Sequence, residues 1–278
     1  MTATQPSAAE KRRAFHELHA SGCFVIPNPW DAGSALYLQS MGFKALATTS
    51  SGFAWSQGRA DGGVPRDQVL AHLQTIVAAT DVPVNADFES GFGRTANEVA
   101  ENVRLAIETG VAGLSIEDST GNADHPLFDI DTAVERMRAA RRAIDAAGGD
   151  TLLVGRAECF LVGLTDLKET IARLNAYANA GADCLYAPGL RTRDEIAAVV
   201  AAVSPKPVNL LIGSASELTL RDVEALGVRR VSVGGALARS AWGGFIRTAT
   251  LIAQEGRFDG FRDAAPGRDL NTLFGKKH

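Results

Sequence analysis

Short apolar, β-branched runs bounded by turn residues recur along the chain at positions 23–27, 45–49, 82–88, 113–117, 152–156, 184–187, 208–212 and 230–233. Runs of this length and composition predict buried strands, eight in all. Between them apolar positions return with helical spacing, most clearly over 98–109, 132–147, 167–180 and 195–203. Several of these segments open on an Asp or Thr suited to capping, and Gly110, Gly181 and Gly227 stand where three of them should end. A further amphipathic helix is predicted over 237–255, followed by an irregular tail. Strands alternating with helices predict an α/β fold, the (β/α)8 TIM barrel, with a doubly wound open sheet as the competing architecture. The lack of a Gly-x-Gly-x-x-Gly turn after the first strand weighs against the open sheet. One barrel uses nearly all of 278 residues, so 1–278 reads as a single domain that includes the C-terminal helical segment 237–278.

Charge and cysteine usage narrow the class. The formal net charge is −4 and the Lys and Arg residues are scattered, which argues against nucleic acid or an acidic membrane surface as partner. No apolar run is long enough to span a bilayer, and the first thirteen residues lack the apolar core of a signal peptide, so a cytoplasmic protein is expected. Cys23, Cys159 and Cys184 fall in or beside predicted strands without metal-type spacing, which reads as buried thiols.

In a barrel, chemistry gathers where strands end. Here those ends are polar: Thr49-Ser50-Ser51-Gly52 after the second strand, Asp87 and Glu89 after the third, Glu117 and Asp118 after the fourth, Arg156 and Glu158 after the fifth, with Asp61 in the second loop. Carboxylates that converge from neighbouring strands need a cation or protons, and oxygen ligands without His or Cys favour Mg²⁺, with Mn²⁺ as the alternative. The structural alternative is that Asp87 and Glu117 cap helices or pair with arginines; for Asp118 that is the better reading. Arg156 is suited to clamp a substrate carboxylate. No lysine among Lys11, Lys44, Lys168, Lys206, Lys276 and Lys277 is placed for Schiff-base chemistry. Of the histidines, His125 alone lies in a candidate active-site loop, as a general acid or as a solvated loop residue.

The segments 87–93 (Asp-Phe-Glu-Ser-Gly-Phe-Gly), 51–53 (Ser-Gly-Phe), 116–118 (Ile-Glu-Asp) and 155–158 (Gly-Arg-Ala-Glu) resemble the isocitrate lyase/phosphoenolpyruvate mutase superfamily. Segments 27–34 and 227–232 are similar to the same family at the first and last strands. The resemblance implies a barrel whose C-terminal helix is exchanged between subunits, giving a dimer or a dimer of dimers. It also implies a Mg²⁺ at the strand ends and small 2-oxo or 2-hydroxy carboxylates as substrates. Position by position, it makes Asp87 a metal ligand and puts Glu89 where a second Asp commonly acts through water on the ion. It places Glu117 and Asp61 around that ion and gives the 51–53 amides the substrate carboxylate and carbonyl. Arg156 becomes the substrate arginine, and Asn209 a seventh-strand contact or, equally, a buried residue satisfying loop backbone.

One departure shapes the expected activity. Isocitrate and methylisocitrate lyases carry a Lys-Lys-Cys-Gly-His loop, whereas residues 118–127 here contain neither cysteine nor lysine. The usual acid of the lyase reaction is missing, as is the lysine of the phosphonate-processing members. What remains suits a Mg-dependent lyase or decarboxylase working through a pyruvate-type enolate on a 2-oxo or 2-hydroxy di- or tricarboxylate, with water or His125 as proton source. Phosphonopyruvate hydrolysis, mutase-type P–C chemistry and non-catalytic binding of a 2-oxo acid are the alternatives.

Overall fold

The computed structural model describes residues 5–275. Among them eight strands form one parallel sheet: β1 (Phe24–Ile26), β2 (Leu46–Ala47), β3 (Val84–Asp87), β4 (Gly113–Glu117), β5 (Leu152–Arg156), β6 (Cys184–Tyr186), β7 (Val208–Leu211) and β8 (Arg230–Ser232). The ladder runs β1-β8-β7-β6-β5-β4-β3-β2. Across the remaining seam the Ala47 amide donates to the Pro27 carbonyl at 3.1 Å, and Asn28 Nδ2 donates to the Thr48 carbonyl at 2.9 Å, so the barrel is nearly closed.

Alternation along each strand sorts its side chains into two cores, because successive residues face opposite sides of a sheet. Ala86, Leu114, Ile116, Leu153, Leu185, Leu210 and Val231 face outward into the shell of helices. Those helices are α4 (Arg66–Ala79), α5 (Ala96–Glu108), α6 (Ile130–Ala146), α7 (Leu167–Asn179), α8 (Arg193–Val203) and the short α9 (Leu220–Ala225), with α2 (Ala32–Ser40) and α3 (Ser50–Ser56) earlier in the chain. Thr95, Asp129, Asp166 and Thr192 cap α5 to α8 through their side chains, and Gly110, Gly181 and Gly227 follow α5, α7 and α9. Leu114 and Leu153 are fully buried, and truncating either to Ala should cost about 2–5 kcal/mol.

The inward core holds small residues at the N-terminal end of the strands: Ala45, Ala47, Ala112 and Cys184 surround Phe15. Phe15 belongs to α1 (Ala8–Ala20), a helix that strand periodicity does not anticipate. It plugs the bottom of the barrel, where Lys11 Nζ donates to the Thr80 carbonyl at 2.5 Å and Arg12 Nε to the Val111 carbonyl at 3.1 Å. The plug needs Gly113: a Cβ there would lie 2.8 Å from the Phe15 ring. Inward polar residues therefore begin just above this plug, with Asn85 and Arg230, and continue to the strand ends at the top.

Helix α10 (Ala236–Glu255) leaves β8 and carries an exposed apolar face, with Phe245 62% and Ile246 56% accessible and Trp242 edge-on to Phe245 at 5.4 Å. A 3-10 turn (Asp259–Asp263) and α11 (Gly267–Phe274) follow, α11 packing back on α2. Lys276, Lys277 and His278 lie outside the described residues. Cys159 and Cys184 are buried, Cys23 is half-buried, and all three are free. Among the described residues no helix is long and apolar enough to cross a membrane.

Candidate active site

Register brings the chemistry together. Glu117 on β4 pairs with Arg156 on β5, Arg156 with Tyr186 on β6, Tyr186 with Asn209 on β7, and Asn209 with Arg230 on β8. These five side chains therefore occupy one row inside the barrel. Arg156, Tyr186, Asn209 and Arg230 line a cavity of about 170 Å³ whose wall also includes Ser50, Ser51, Asp61, Asp87 and Ser232.

Arg156 organises the carboxylates. Its Nη1 lies 3.1 Å from Asp87 Oδ1 and 2.9 Å from Glu117 Oε2, and its Nε donates to Glu158. Burial opposes the charge on Arg156, but Glu158, Glu117 and Asp87 outweigh it and hold the guanidinium firmly protonated. One arginine does not balance the acids. Burial pushes Glu117 well above the usual carboxylate range despite Arg156, and repulsion from Glu158, Asp87 and Glu89 adds to the shift. Glu89 is raised to about 7 by burial and by Asp87 and Asp61. Asp61, at the rim, is raised by burial and by Asp87, against a hydrogen bond from Ser50. Tyr186, buried beneath Arg156, is pushed up to about 12 by burial and stays a neutral donor at ordinary pH.

A second layer fixes these groups. Asp87 accepts from the Ser50 amide at 2.8 Å, and its own amide donates to Thr48 Oγ1 at 2.9 Å, tying β3 to the end of β2. Glu89 has a left-handed backbone (φ 47°), a conformation that costs a non-glycine residue about 1 kcal/mol or more and turns the chain sharply after β3. Asp118 faces away from the cavity. It accepts from the Glu158 amide (2.8 Å), Arg173 Nη1 (3.0 Å) and Tyr177 Oη (2.6 Å), so it anchors the residue that grips Arg156. Gly235 lets the loop after β8 approach α3: a Cβ there would lie 2.7 Å from Ser51 Oγ.

Does this set fit a divalent cation? Among the described residues no three His, Cys, Asp or Glu side chains stand in a ready-made ligand arrangement, because Arg156 occupies the space between Asp87 and Glu117. The donor chemistry nevertheless fits. Asp61, Asp87, Glu89 and Glu117 offer oxygen alone, and three of them are shifted upward by burial first and by neighbouring carboxylates second, a strain on the charged forms that a hard cation would relieve.

The sequence matches the phosphoenolpyruvate phosphomutase family model over residues 15–253. The chain belongs to this family. It therefore sits in the isocitrate lyase/phosphoenolpyruvate mutase superfamily. A crystal structure from Burkholderia cenocepacia, provisionally described as a lyase/mutase, superposes with a TM-score of 0.94 at 51% identity, covering 96% of this chain and 97% of that one. An uncharacterised protein of Mycobacterium tuberculosis is 33% identical over 223 residues, 80% of this chain and 81% of its own. The 2-methylisocitrate lyase of Halalkalibacterium halodurans is 28% identical over 251 residues, 88% of this chain and 83% of its own.

Within this family member the expected residues divide into two groups. Ser51, Asp61, Asp87, Arg156 and Asn209 line the cavity, Glu117 meets it through Arg156, and Glu89 lies behind Asp87 beside His72. Gly52 and Phe53 do not present free amides: they are in the first turns of α3, where Gly52 N–H donates to Thr49 Oγ1 at 3.3 Å and Phe53 N–H to the Thr49 carbonyl at 3.0 Å. His125 sits exposed in the loop between β4 and α6, apart from the cavity-lining residues. Asn209 is spent on Ser232 and Arg230, at 2.9 and 2.8 Å. Tyr186, Ser232 and Arg230 escaped the sequence reading. The first two are inward positions of apolar-looking strands, and Arg230 opens its strand rather than closing it.

Proposed function

We propose that this chain is a divalent-metal-dependent carbon–carbon lyase or decarboxylase that acts on a 2-oxo or 2-hydroxy di- or tricarboxylate through a pyruvate-type enolate. The observation that carries the reading is the pairing of an acid-rich, Arg156-centred cavity with a loop after β4 that has no cysteine or lysine. With a cation bound, such a site would stabilise developing negative charge, and its loop after β4 offers no cysteine or lysine as a proton donor. Decarboxylation of an oxaloacetate-like acid suits that balance. The bond to the departing carboxylate breaks, its electron pair moves to the carbon beside the 2-oxo group as an enolate, CO2 leaves, and a proton from water gives the pyruvate-type product.

A bound Mg²⁺, held by Asp87 with Glu89, Glu117 and Asp61 around it, would polarise the 2-oxo group. Arg156 orients a carboxylate in two-pronged fashion and exchanges some of its bonding to Asp87 and Glu117 for the substrate. Glu158, fixed by Asp118, keeps the guanidinium from rotating away. The Tyr186 hydroxyl, neutral below about pH 12, is a hydrogen-bond donor at the cavity wall. Cleavage of a substituted malate uses the same groups. P–C chemistry is the weaker reading, because residues 118–128 contain no Lys or Arg to add to the cavity's arginines over a phosphonate dianion.

The test is a panel of 2-oxo and 2-hydroxy acids with Mg²⁺, read by pyruvate release, CO2 release and phosphorus NMR. Metal-dependent pyruvate formation supports the proposal. Binding without product would leave the non-catalytic reading, and a new phosphorus resonance would favour P–C chemistry. The exposed face of α10 is proposed to pack on a second copy of the chain.

A further inference from the structure

Arg230 opens β8 and lies inside the barrel at 2% exposure. Among the described residues no carboxylate pairs with it. Its partners are neutral: Nε donates to Asn209 Oδ1 at 2.8 Å, and Nη1 approaches Asn85 Oδ1 and His19 Nε2 at 3.4 Å each. The contrast with Arg156, three strands away in the same row, is sharp, since that guanidinium contacts three carboxylates. A buried charge without a counter-charge is costly, and burial alone lowers the Arg230 pKa. His19 supplies no counter-charge, since an imidazole is neutral or cationic, and burial with Arg230 keeps this one neutral.

Position gives the unpaired cation a use. Arg230 lines the same cavity of about 170 Å³ as Arg156 and Ser51, while Phe15 and α1 close the barrel beneath. We propose that Arg230 is the anchor for a second carboxylate, so that the site takes a 2-oxo or 2-hydroxy dicarboxylate of four or five carbons, one end at Arg156 and the other at Arg230. The inference rests on the reading above that the cavity binds such acids, and it narrows it. A cavity of roughly 150 Å³ accommodates benzene, so the space beside the two arginines suits a short diacid, and it opens at Ser51, Asp61 and Leu211 into a larger cleft. Arg230 thereby acts as a specificity residue: a diacid would pair a charge that is unpaired in the free protein, whereas a monocarboxylate would leave that charge as it was and gain nothing from it.

The experiment is calorimetry on the full-length protein with saturating Mg²⁺. The probes are 2-hydroxysuccinate and 2-hydroxybutanoate, matched in carbon number and differing in the distal carboxylate. The parent should bind the diacid at least tenfold more tightly, Arg230→Met should abolish that preference, and the monoacid should change by less than about twofold. Arg230→Lys keeps the charge but loses the fork and should fall between the two; it serves as the second variant if the Met protein does not fold. No preference in the parent, including no binding of either acid, overturns the proposal, as does a variant that weakens both acids equally. A protein that discriminates the acids through Arg230 but releases no pyruvate or CO2 would retain this subsite while the reaction reading fell. Turnover indifferent to Arg230 would do the reverse.

Discussion

Arg156 on β5 reaches past β4 to Asp87 on β3, Nη1 to Oδ1 at 3.1 Å, so the residue suited to hold substrate also neutralises the residue suited to hold metal. The two jobs are coupled. A cation beside Asp87 would replace part of the charge that Arg156 supplies and free the guanidinium for a carboxylate.

Asp87→Ala should therefore abolish Mg²⁺ binding in calorimetry while leaving the fold intact, because the side chain lies at a strand end and outside the apolar core. An unchanged Mg²⁺ affinity would remove Asp87 from the metal site.

Arg156→Lys should lower kcat/KM by about a hundredfold, equivalent to roughly 2.7 kcal/mol of transition-state stabilisation. Lysine keeps the charge, but one ammonium cannot reproduce the separate Nη1 and Nε contacts to Asp87, Glu117 and Glu158. Steady-state kinetics on whichever acid proves to be a substrate decides this, and parent-like turnover would refute the clamp.

Asp118→Asn should destabilise the protein by about 1.5–3 kcal/mol, since it removes the buried one of the two carboxylates that pair with Arg173 and leaves only Glu169. The same change loosens Glu158 and hence Arg156, so kcat should fall at temperatures where the variant remains folded. Thermal unfolding and kinetics measured together separate the effects; a lower melting temperature with unaltered kcat would show that Asp118 is a scaffold residue alone.

Acid should destabilise the fold through two histidines. Burial lowers His72, stacked on Phe53 at 3.8 Å, to about 4, and burial with Arg230 lowers His19 to about 3. Each ring is neutral when folded, while in the unfolded chain it takes up a proton below about pH 6.5. Their contribution is thus present above pH 6.5 and is lost as the pH falls toward 4, at up to about 1.4 kcal/mol per pH unit for each ring. Urea unfolding at pH 7.5, 6 and 5 should show this slope, shallower in His72→Leu. An identical slope in parent and variant would exclude His72 as a source.

The C-terminal helix should hold copies of the chain together. Phe245 and Ile246 are exposed, and burying side chains of this kind contributes roughly 1.5–3 kcal/mol each. Light scattering should give a dimer or tetramer for the parent and a smaller species for a Phe245→Glu, Ile246→Glu double variant. A monomeric parent at micromolar concentration would sink the exchanged-helix arrangement.

Local chemistry made much of this protein legible from its sequence. The eight strands are short apolar runs with turn residues on both sides, and β4 and β5 occupy the expected 113–117 and 152–156 because nothing but strand pairing satisfies those buried amides. Caps such as Thr95 and Asp166 and the glycines after α5 and α7 are local signals and could be read one segment at a time. Asp87, Glu117 and Arg156 stood out because polar residues end otherwise apolar runs. What tertiary structure decided depends on register around the barrel. It brought Arg156 between Asp87 and Glu117, from strands 69 and 39 residues apart in sequence, and it used up the Gly52 and Phe53 amides inside α3. It also left Arg230 facing neutral amides on the wall of the cavity. A strand's sequence shows which residues share a face; which charges from other strands meet them there is set by how eight strands close on one another.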